Sequence, residues 1–359
     1  MERVLVGMSG GVDSSVCTAL LMKQGYEVAG ATLSLHGNSA ASAECVKACG
    51  SPSDVDDARE ICNRLGILHY VFDFKERFSE CVVNNFISEY LEGKTPNPCI
   101  ECNRYIKFKA MLDSAIELGY DKVATGHYAS VKQDKNGRYL LCRAKDINKD
   151  QSYVLYSLTQ EQLSKIIFPL GNYLKPQVRE IADKFGFVNA SKPDSQDICF
   201  VPDGDYASFI ERTIGRASLY GDFVDIEGKR LGEHKGIIRY TVGQRKGLGI
   251  ALGKPMFVID KSATENQVVL GDEKLLFYKR VLVDELNFIM FDKLEERMSV
   301  TAKLRYRHKE QPAVIYPIDI SRVIIEFNEP QRAPSCGQSA VFYKDDVVVG
   351  GGKIVKGID

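Results

Sequence analysis

The chain has 359 residues, 44% of them hydrophobic, and a formal net charge of -1. This length is sufficient for two or three domains with full cores, and it excludes a peptide-sized binder. The near-neutral charge excludes a general attraction to nucleic acid, so any RNA site has to be a local cluster of Lys and Arg.

The sequence contains no run of about 18 apolar residues, and its start, MERVLVG, is typical of a strand and not of a cleavable leader. We therefore expect a cytoplasmic protein that makes no membrane contact. Ten cysteines without a secretory signal favour buried thiols, metal ligands or reactive thiols over a disulfide scaffold.

The segment SGGVDSS at residues 9–15 follows the apolar run VLV at residues 4–6. Its two glycines allow the backbone to present successive N–H groups to anionic oxygens, and the hydroxyls of Ser14 and Ser15 can add donors where a helix begins. Asp13 would repel phosphates unless a metal lay between them, which indicates Mg²⁺. The segment resembles the PP-loop of ATP pyrophosphatases, which adenylate a substrate and release pyrophosphate.

Alternating apolar runs and helix-period segments up to residue 200 predict a parallel sheet covered by helices. After the first strand, we expect strands at residues 26–33, 67–72 and 122–125, a helix from an N-cap at Ser53 to Gly66, a hairpin over 129–143 and a helix over 175–185. Nucleotides bind at the carboxyl ends of parallel strands, so residues 126–128 should lie beside the 9–15 loop.

Beyond residue 200, glycines become frequent and short alternating runs replace the helical pattern. Runs at residues 299–306, 314–318, 323–327 and 339–342 predict strands of a barrel. We therefore expect an α/β protein with a parallel-sheet PP-loop ATP pyrophosphatase domain at 1–200, a small mixed or β-rich domain at 201–280 and a C-terminal β-barrel at 281–359.

Two segments carry candidate reactive thiols. TPNPCIECN at residues 95–103 places Cys99 and Cys102 at the predicted start of a helix, where the helix dipole and the charges of Arg104 and Lys107 should lower the pKa of a thiol. Cys199 lies in the polar segment 192–200, which suits a thiol that must move between partners.

Other cysteines have a structural interpretation or a metal-binding one. His36, Cys45, Cys49 and Cys62 have loose zinc-like spacings, but Cys62 lies on the apolar face of a predicted helix, and buried cysteine is common.

Seven motifs follow one another along the chain: SGGVDSS, TPNPxxxCN, TGHY, NKDQSY, DSxxICF, GQRKGLGI and GQSAVFY. In this order they resemble the motifs of the tRNA-specific 2-thiouridylases, and the resemblance covers nearly the whole chain. It implies a tRNA-uridine 2-sulfurtransferase that uses ATP to adenylate the 2-oxygen of the wobble uridine and then replaces AMP by sulfur. It also implies that Cys199 carries a persulfide, received from a sulfur-relay protein or a cysteine desulfurase, and that Cys102 frees the sulfur or closes a disulfide.

The resemblance implies the binding residues as well. For ATP they are Gly7, Met8, Ser9, Gly10, Gly11, Val12, Asp13, Ser14, Leu33 and Gly126. For tRNA they are Asn97, Pro98, Cys99, His127, Lys149, Asp150, Gln151, Arg305, Tyr306 and Gln338. His127 has a second interpretation, as a buried histidine that lines the nucleotide site.

The chain departs from the family at Cys99, where better-known members have Asp, at a position that contacts the target base. Cys99, Cys102 and Cys199 could therefore hold three irons of a [4Fe-4S] cluster instead of passing a persulfide. A different PP-loop adenylating synthetase, which would need neither Cys102 nor Cys199, is a further alternative.

A basic stripe favours RNA binding. Lys303, Arg305, Arg307 and Lys309 alternate with Leu304, Tyr306 and His308, an arrangement that on a strand would put four cations on one face. Tyr306 could stack on a base. The alternative is an ordinary solvated strand face.

Overall fold

The computed structural model describes residues 1–36, 51–187, 189–190, 198–251 and 253–359. Its strands are β1 (Arg3–Gly7), β2 (Glu27–Ser34), β3 (His69–Asp73), β4 (Lys122–Thr125), β5 (Ser130–Gln133), β6 (Tyr139–Cys142), β7 (Ile166–Ile167), β8 (Gly221–Val224), β9 (Arg230–His234), β10 (Phe257–Ser262), β11 (Gln267–Gly271), β12 (Phe277–Phe288), β13 (Met298–Lys303), β14 (Gln311–Pro317), β15 (Val323–Arg332), β16 (Ser339–Lys344) and β17 (Val347–Ile358).

The α-helices are α1 (Val12–Lys23), α2 (Pro52–Leu65), α3 (Lys75–Phe78), α4 (Asn84–Leu91), α5 (Pro98–Glu101), α6 (Met111–Glu117), α7 (Gln160–Ser164), α8 (Lys175–Phe185) and α9 (Tyr206–Ile214). Segments of π-helix cover Ser79–Val83 and Cys102–Ala110, and 3₁₀ turns cover Ser152–Leu155, Pro169–Asn172, Ile237–Arg239 and Glu273–Leu276. Among the described residues, no helix is long and apolar enough to cross a membrane.

The chain divides into two compact units. The first consists of Met1–Val83, Pro98–Gly204 and Asp345–Val348, and the second of Asn84–Asn97, Asp205–Lys344 and Val349–Asp359.

A parallel sheet with the strand order β3-β2-β1-β4-β7 forms the centre of the first unit. Gly7 at the end of β1 pairs with Ala31 of β2 on one side and with Thr125 of β4 on the other. The strand order reverses at β1, so the loops after β1 and β4 flank the position where open α/β sheets bind nucleotides. The predicted parallel α/β architecture is confirmed.

Local predictions in this unit hold with shifts of one or two residues at the ends of some elements. β5 and β6 form the expected hairpin, and α8 ends at Gly186, whose φ of 63° is left-handed. Helix α2 begins earlier than predicted, because Ser51, and not Ser53, is its N-cap and accepts a hydrogen bond from the Asp54 N–H at 3.3 Å. Proline suits the first helical position, so the cap precedes Pro52.

The second unit is rich in strands. Strands β10, β11, β8 and β9 form a four-stranded sheet in that order. The order β12-β15-β14-β13-β16-β17 closes on itself through pairing of β12 with β17, which gives the predicted β-barrel. Its interior contains buried side chains such as Val281, Ile315 and Phe327.

Candidate active site

The loop between β1 and α1 has the conformation that its glycines predict. Gly10 has a φ of +66°, and a Cβ there would lie 2.9 Å from the Cα of Asp54, so both conformation and space require glycine. Gly11 is the N-cap of α1 in extended conformation and brings no side chain to the helix end. Backbone N–H groups at such an end favour an anionic ligand such as a phosphate.

The two serines of the loop make hydrogen bonds within it, and their contact with phosphate stays a prediction. The hydroxyls of Ser14 and Ser15 both donate to the Gly11 carbonyl oxygen, at 3.0 and 3.1 Å, and so stabilise the loop's own fold. The amide of Asn189 fastens the loop further, since its nitrogen donates to the Gly10 carbonyl oxygen and to Ser15 Oγ, each at 3.0 Å. Sequence reasoning missed Asn189, because it lies 174 positions from Ser15.

Asp13 is held by a cation that the sequence did not reveal. Lys175 Nζ lies 2.8 Å from each carboxylate oxygen of Asp13, and the Tyr128 hydroxyl donates to Oδ1 at 2.8 Å. The side chain of Asp13 is 30% exposed, and that of Lys175 only 9%. One carboxylate is a sufficient protein ligand for a Mg²⁺ that arrives with phosphates, so Asp13 fits that function and is already neutralised by Lys175.

Residues 126–128 lie beside the loop, as predicted. A Cβ on Gly126 would be 2.9 Å from both the Asp13 carbonyl carbon and the Ser14 nitrogen, so the two loops touch backbone to backbone. Met8 is buried and its N–H donates to the Ala31 carbonyl at 2.8 Å. Leu33 is half-buried near the carboxyl end of the adjacent strand β2.

His127 is enclosed in an aromatic environment. It is buried, its Nδ1 is 2.7 Å from the Thr125 hydroxyl, and its ring lies 5.7 Å from that of Phe108 and 5.9 Å from that of Phe168. Burial, and then the charge of Lys107, lower the pKa of His127 well below its ordinary value. These contacts favour the interpretation of a neutral buried histidine, and its contact with tRNA stays a prediction.

Residues 149–151, predicted to contact tRNA, are joined by hydrogen bonds to the loop at residues 126–128. Asp150 is buried and accepts hydrogen bonds from the Ala144 N–H and the Ser152 hydroxyl. Gln151 binds Tyr128 twice, since the Tyr128 N–H donates to Oε1 at 2.9 Å and the Gln151 N–H donates to the Tyr128 carbonyl at 2.8 Å. Lys149 is half-buried.

The cysteine segment starts a helix in the first unit, as predicted. Pro98 is buried at the start of α5, Cys99 is exposed and Cys102 is 8% exposed at the start of the π-helical segment. π-Helical turns occur frequently at functional sites. The Asn103 amide, which donates to the Val154 carbonyl at 2.9 Å, anchors this segment.

The environment of Cys99 differs from our expectation. Although the residue is exposed, surrounding protein atoms desolvate the thiol and raise the pKa of Cys99, and the positive charge of Lys107 opposes this rise without cancelling it. The helix start therefore does not produce a thiolate at this position. Cys199 is half-buried and, like Cys99 and Cys102, is not in a disulfide.

The donor geometry of the described residues does not support the iron–sulfur interpretation. Within the ranges that the structure describes, no three His, Cys, Asp or Glu side chains are placed to hold a metal ion, so Cys99, Cys102 and Cys199 do not fit a [4Fe-4S] cluster as arranged. Cys62 is fully buried, which raises its pKa to about 11, and His36 packs edge-on against Phe78. Cys45, Cys49 and residues 192–197 of the Cys199 segment lie outside the described residues.

The basic stripe of the second unit lies on a turn and not on a strand. β13 ends at Lys303, and residues 304–310 form the connection to β14. Arg305 points into the protein, where its guanidinium donates to the Ser335 hydroxyl at 2.8 Å and to the Ala333 carbonyl at 3.0 Å. Residues 306–309 are exposed, so the side chains of Tyr306, Arg307 and Lys309 are accessible to solvent.

Gln338 and Asn97, both predicted to contact tRNA, lie near each other in the second unit. The Gln338 amide donates to the Thr95 carbonyl at 2.8 Å, and the Thr95 N–H donates to the Cys336 carbonyl at 2.8 Å. These bonds hold the backbone just before Asn97, which is half-buried. Gln338 therefore positions the segment that leads to Asn97.

The fold and the loop between β1 and α1 define a nucleotide-binding α/β protein. Its PP-loop lies where the strand order of the parallel sheet reverses, and a β-barrel follows. Three family models match in succession: a tRNA methyl transferase HUP domain over residues 2–203, a tRNA methyl transferase PRC-barrel domain over 207–272 and an aminomethyltransferase β-barrel domain over 278–354.

Relatives named tRNA-specific 2-thiouridylase MnmA match the chain over nearly its full length. The protein from Acetivibrio thermocellus is 54% identical over 98% of this chain and 99% of the relative. That from Carboxydothermus hydrogenoformans is 50% identical over 99% of this chain and 98% of the relative. The chain belongs to the tRNA-specific 2-thiouridylase family.

Proposed function

We propose that the protein uses ATP to convert the wobble uridine of tRNA to 2-thiouridine. The observation that carries the proposal is the close contact between Gly126 and the PP-loop, in the same unit as the helix that bears Cys99 and Cys102. The names of its relatives describe 2-thiolation of a uridine in tRNA, and the loop geometry suits the triphosphate of ATP.

The first step is adenylation of the uridine. The 2-oxygen attacks the α-phosphorus of ATP, an O–P bond forms, and pyrophosphate leaves. The loop N–H groups hold the departing pyrophosphate charge, and Asp13 would hold the Mg²⁺ that accompanies ATP. When bound, that ion neutralises phosphate charge. The product carries AMP at carbon 2, which makes the oxygen a good leaving group.

The second step transfers sulfur. The terminal sulfur of a persulfide on Cys199 attacks carbon 2 and displaces AMP. The thiolate of Cys102 then attacks the Cys199 sulfur, which breaks the sulfur–sulfur bond, releases 2-thiouridine and leaves a Cys102–Cys199 disulfide. A thiol reductant restores both cysteines. A sulfur-relay protein or a cysteine desulfurase would reload Cys199.

The tRNA-binding residues in this proposal are those that the family resemblance implies. Asn97, Pro98 and Cys99 would meet the target base, and His127, Lys149, Asp150, Gln151, Arg305, Tyr306 and Gln338 would contact the rest of the tRNA. We also propose the domain division 1–200, 201–280 and 281–359, with the barrel as the tRNA-binding domain.

Pyrophosphate release tests the proposal directly. With ATP and Mg²⁺, the protein should release pyrophosphate only when a tRNA with a wobble uridine is present. The matched control is the same tRNA with cytidine at the wobble position. Release that is equal with both tRNAs, or that needs no tRNA, would contradict adenylation of this base.

A further inference from the structure

The ion pair between Lys175 and Asp13 joins the start of α8 to the PP-loop across 162 positions of sequence. The ammonium is equidistant from both carboxylate oxygens, and Tyr128 adds a hydrogen bond to one of them. Lys175 Nζ also lies 5.7 Å from the centre of the Tyr128 ring, within the range of a cation–π contact. The contacts of Asp13 therefore fix the orientation of its carboxylate beside a cation.

The position of Lys175 is unfavourable for the helix to which it belongs. It is the first residue of α8, where the helix dipole disfavours a cation, and it is buried, which costs free energy for any charge without a partner. The Asp146 carboxylate holds the backbone there, since it accepts the Lys175 N–H at 2.9 Å. Helix stability therefore does not explain a lysine here, whereas the carboxylate of Asp13 does.

We propose that Lys175 is a nucleotide-positioning residue that cancels the negative charge of Asp13 and so lets the PP-loop accept the triphosphate of ATP. This inference rests on the use of ATP in the proposed function. Asp13 is the more exposed partner, so its carboxylate remains accessible to a metal that enters with ATP. The Lys175 side chain is more deeply buried. Lys175 therefore affects ATP binding through the charge of Asp13.

Four charge states of this pair make the proposal testable. The wild-type pair is neutral, Lys175→Met leaves a charge of about −1, Asp13→Asn leaves about +1, and the double variant is neutral again. Titration calorimetry measures the dissociation constant of ATP in EDTA and, separately, in Mg²⁺. Tyr128→Phe is the matched control, because it removes a hydrogen bond from the same oxygen without changing the charge. Thermal unfolding verifies that each variant is folded.

In EDTA we expect Asp13→Asn to bind ATP about tenfold more tightly than wild type and Lys175→Met about tenfold more weakly, with the double variant near wild type. In Mg²⁺ the loss in Lys175→Met should be much smaller. If Lys175→Met does not fold, the comparison of Asp13→Asn with the double variant still gives the effect of the lysine.

Equal losses with and without Mg²⁺ in Lys175→Met, or no tenfold difference between Asp13→Asn and the double variant, would overturn the inference while leaving ATP use intact. A wild-type protein that binds ATP under neither condition would overturn the proposed function itself.

Discussion

Gly126 packs against the backbone of Asp13 so closely that a methyl group on its Cα would lie 2.9 Å from the Asp13 carbonyl carbon. The neighbouring atom is backbone, which cannot turn aside as a flexible side chain can. The two loops that follow β1 and β4 are therefore fitted to each other, and we expect phosphate binding to depend on this fit.

Gly126→Ala should weaken ATP binding about tenfold or more, because overpacking of this kind costs about 1 to 3 kcal/mol and the PP-loop has to move. Titration of ATP by calorimetry gives the affinity. Gly228→Ala is a suitable control, since Gly228 has a φ of +83° with no atom within 4 Å of an added Cβ. It should lose stability by about 1 to 2 kcal/mol and bind ATP normally.

The thiol of Cys99 should be protonated at neutral pH, because desolvation raises its pKa. Its alkylation by iodoacetamide, followed by mass spectrometry of the peptide, should be slow at neutral pH and still accelerating above about pH 8.5, the usual thiol pKa. Lys107→Gln should move the midpoint higher, since it removes a cation that stabilises the thiolate. Lys109→Gln is the control, because Lys109 pairs with Asp113 at 3.1 Å. A midpoint below that of an ordinary thiol would refute this prediction.

Arg305 and Arg307 should behave differently on replacement by alanine. Arg305→Ala removes hydrogen bonds to buried oxygens of Ala333 and Ser335 and should destabilise the protein by about 1 to 3 kcal/mol. Arg307 is exposed, so Arg307→Ala should leave stability unchanged and reduce the salt slope of tRNA binding by about 1. Thermal unfolding and filter binding at several salt concentrations distinguish the two effects. An unchanged slope in Arg307→Ala would exclude a phosphate contact there.

His308 should make tRNA binding dependent on pH if a phosphate of the tRNA lies beside its ring. Although His308 is exposed, surrounding protein atoms desolvate its ring. This desolvation, and then the charges of Arg305, Arg332 and Lys303, lower the pKa of His308 from its ordinary value in the unbound protein. A phosphate beside the ring would favour the protonated form, so the pKa rises on binding and a proton is taken up. The gain in tRNA affinity is complete when the pH is below the pKa of His308 in the unbound protein. It is lost as the pH rises through the pKa of His308 in the complex.

The tRNA affinity of the wild type should therefore increase on acidification by up to about tenfold for each unit by which the pKa rises. His308→Gln should remove that part of the pH dependence. If the variant and the wild type have parallel pH profiles, His308 does not meet a phosphate.

Much of the fold followed from local patterns in the sequence. Gly10 in the 9–15 loop, Gly137 in the hairpin and Gly186 after α8 each have a left-handed φ that few other residues adopt. The place of residues 126–128 followed from a rule for parallel sheets.

The contacts that sequence reasoning missed join distant positions. Lys175 contacts Asp13, and Asn189 contacts Ser15. More than 160 residues separate the members of each pair, and no periodicity in the sequence indicates such pairs. Alternation of charge at residues 303–309 predicted a strand, but the chain turns after Lys303, and Arg305 makes hydrogen bonds inside the protein. Alternation alone cannot distinguish a strand from a turn of the same composition.

The most direct test of thiolation is mass spectrometry of nucleosides from unmodified tRNA incubated with the protein, ATP and a sulfur donor. We predict 2-thiouridine that requires ATP and is absent with Cys102→Ser or Cys199→Ser, while Cys81→Ser, a control at another half-buried thiol, retains it. Formation of 2-thiouridine without ATP or by the Cys199→Ser protein, or a methylated nucleoside in its place when S-adenosylmethionine is supplied, would contradict the account.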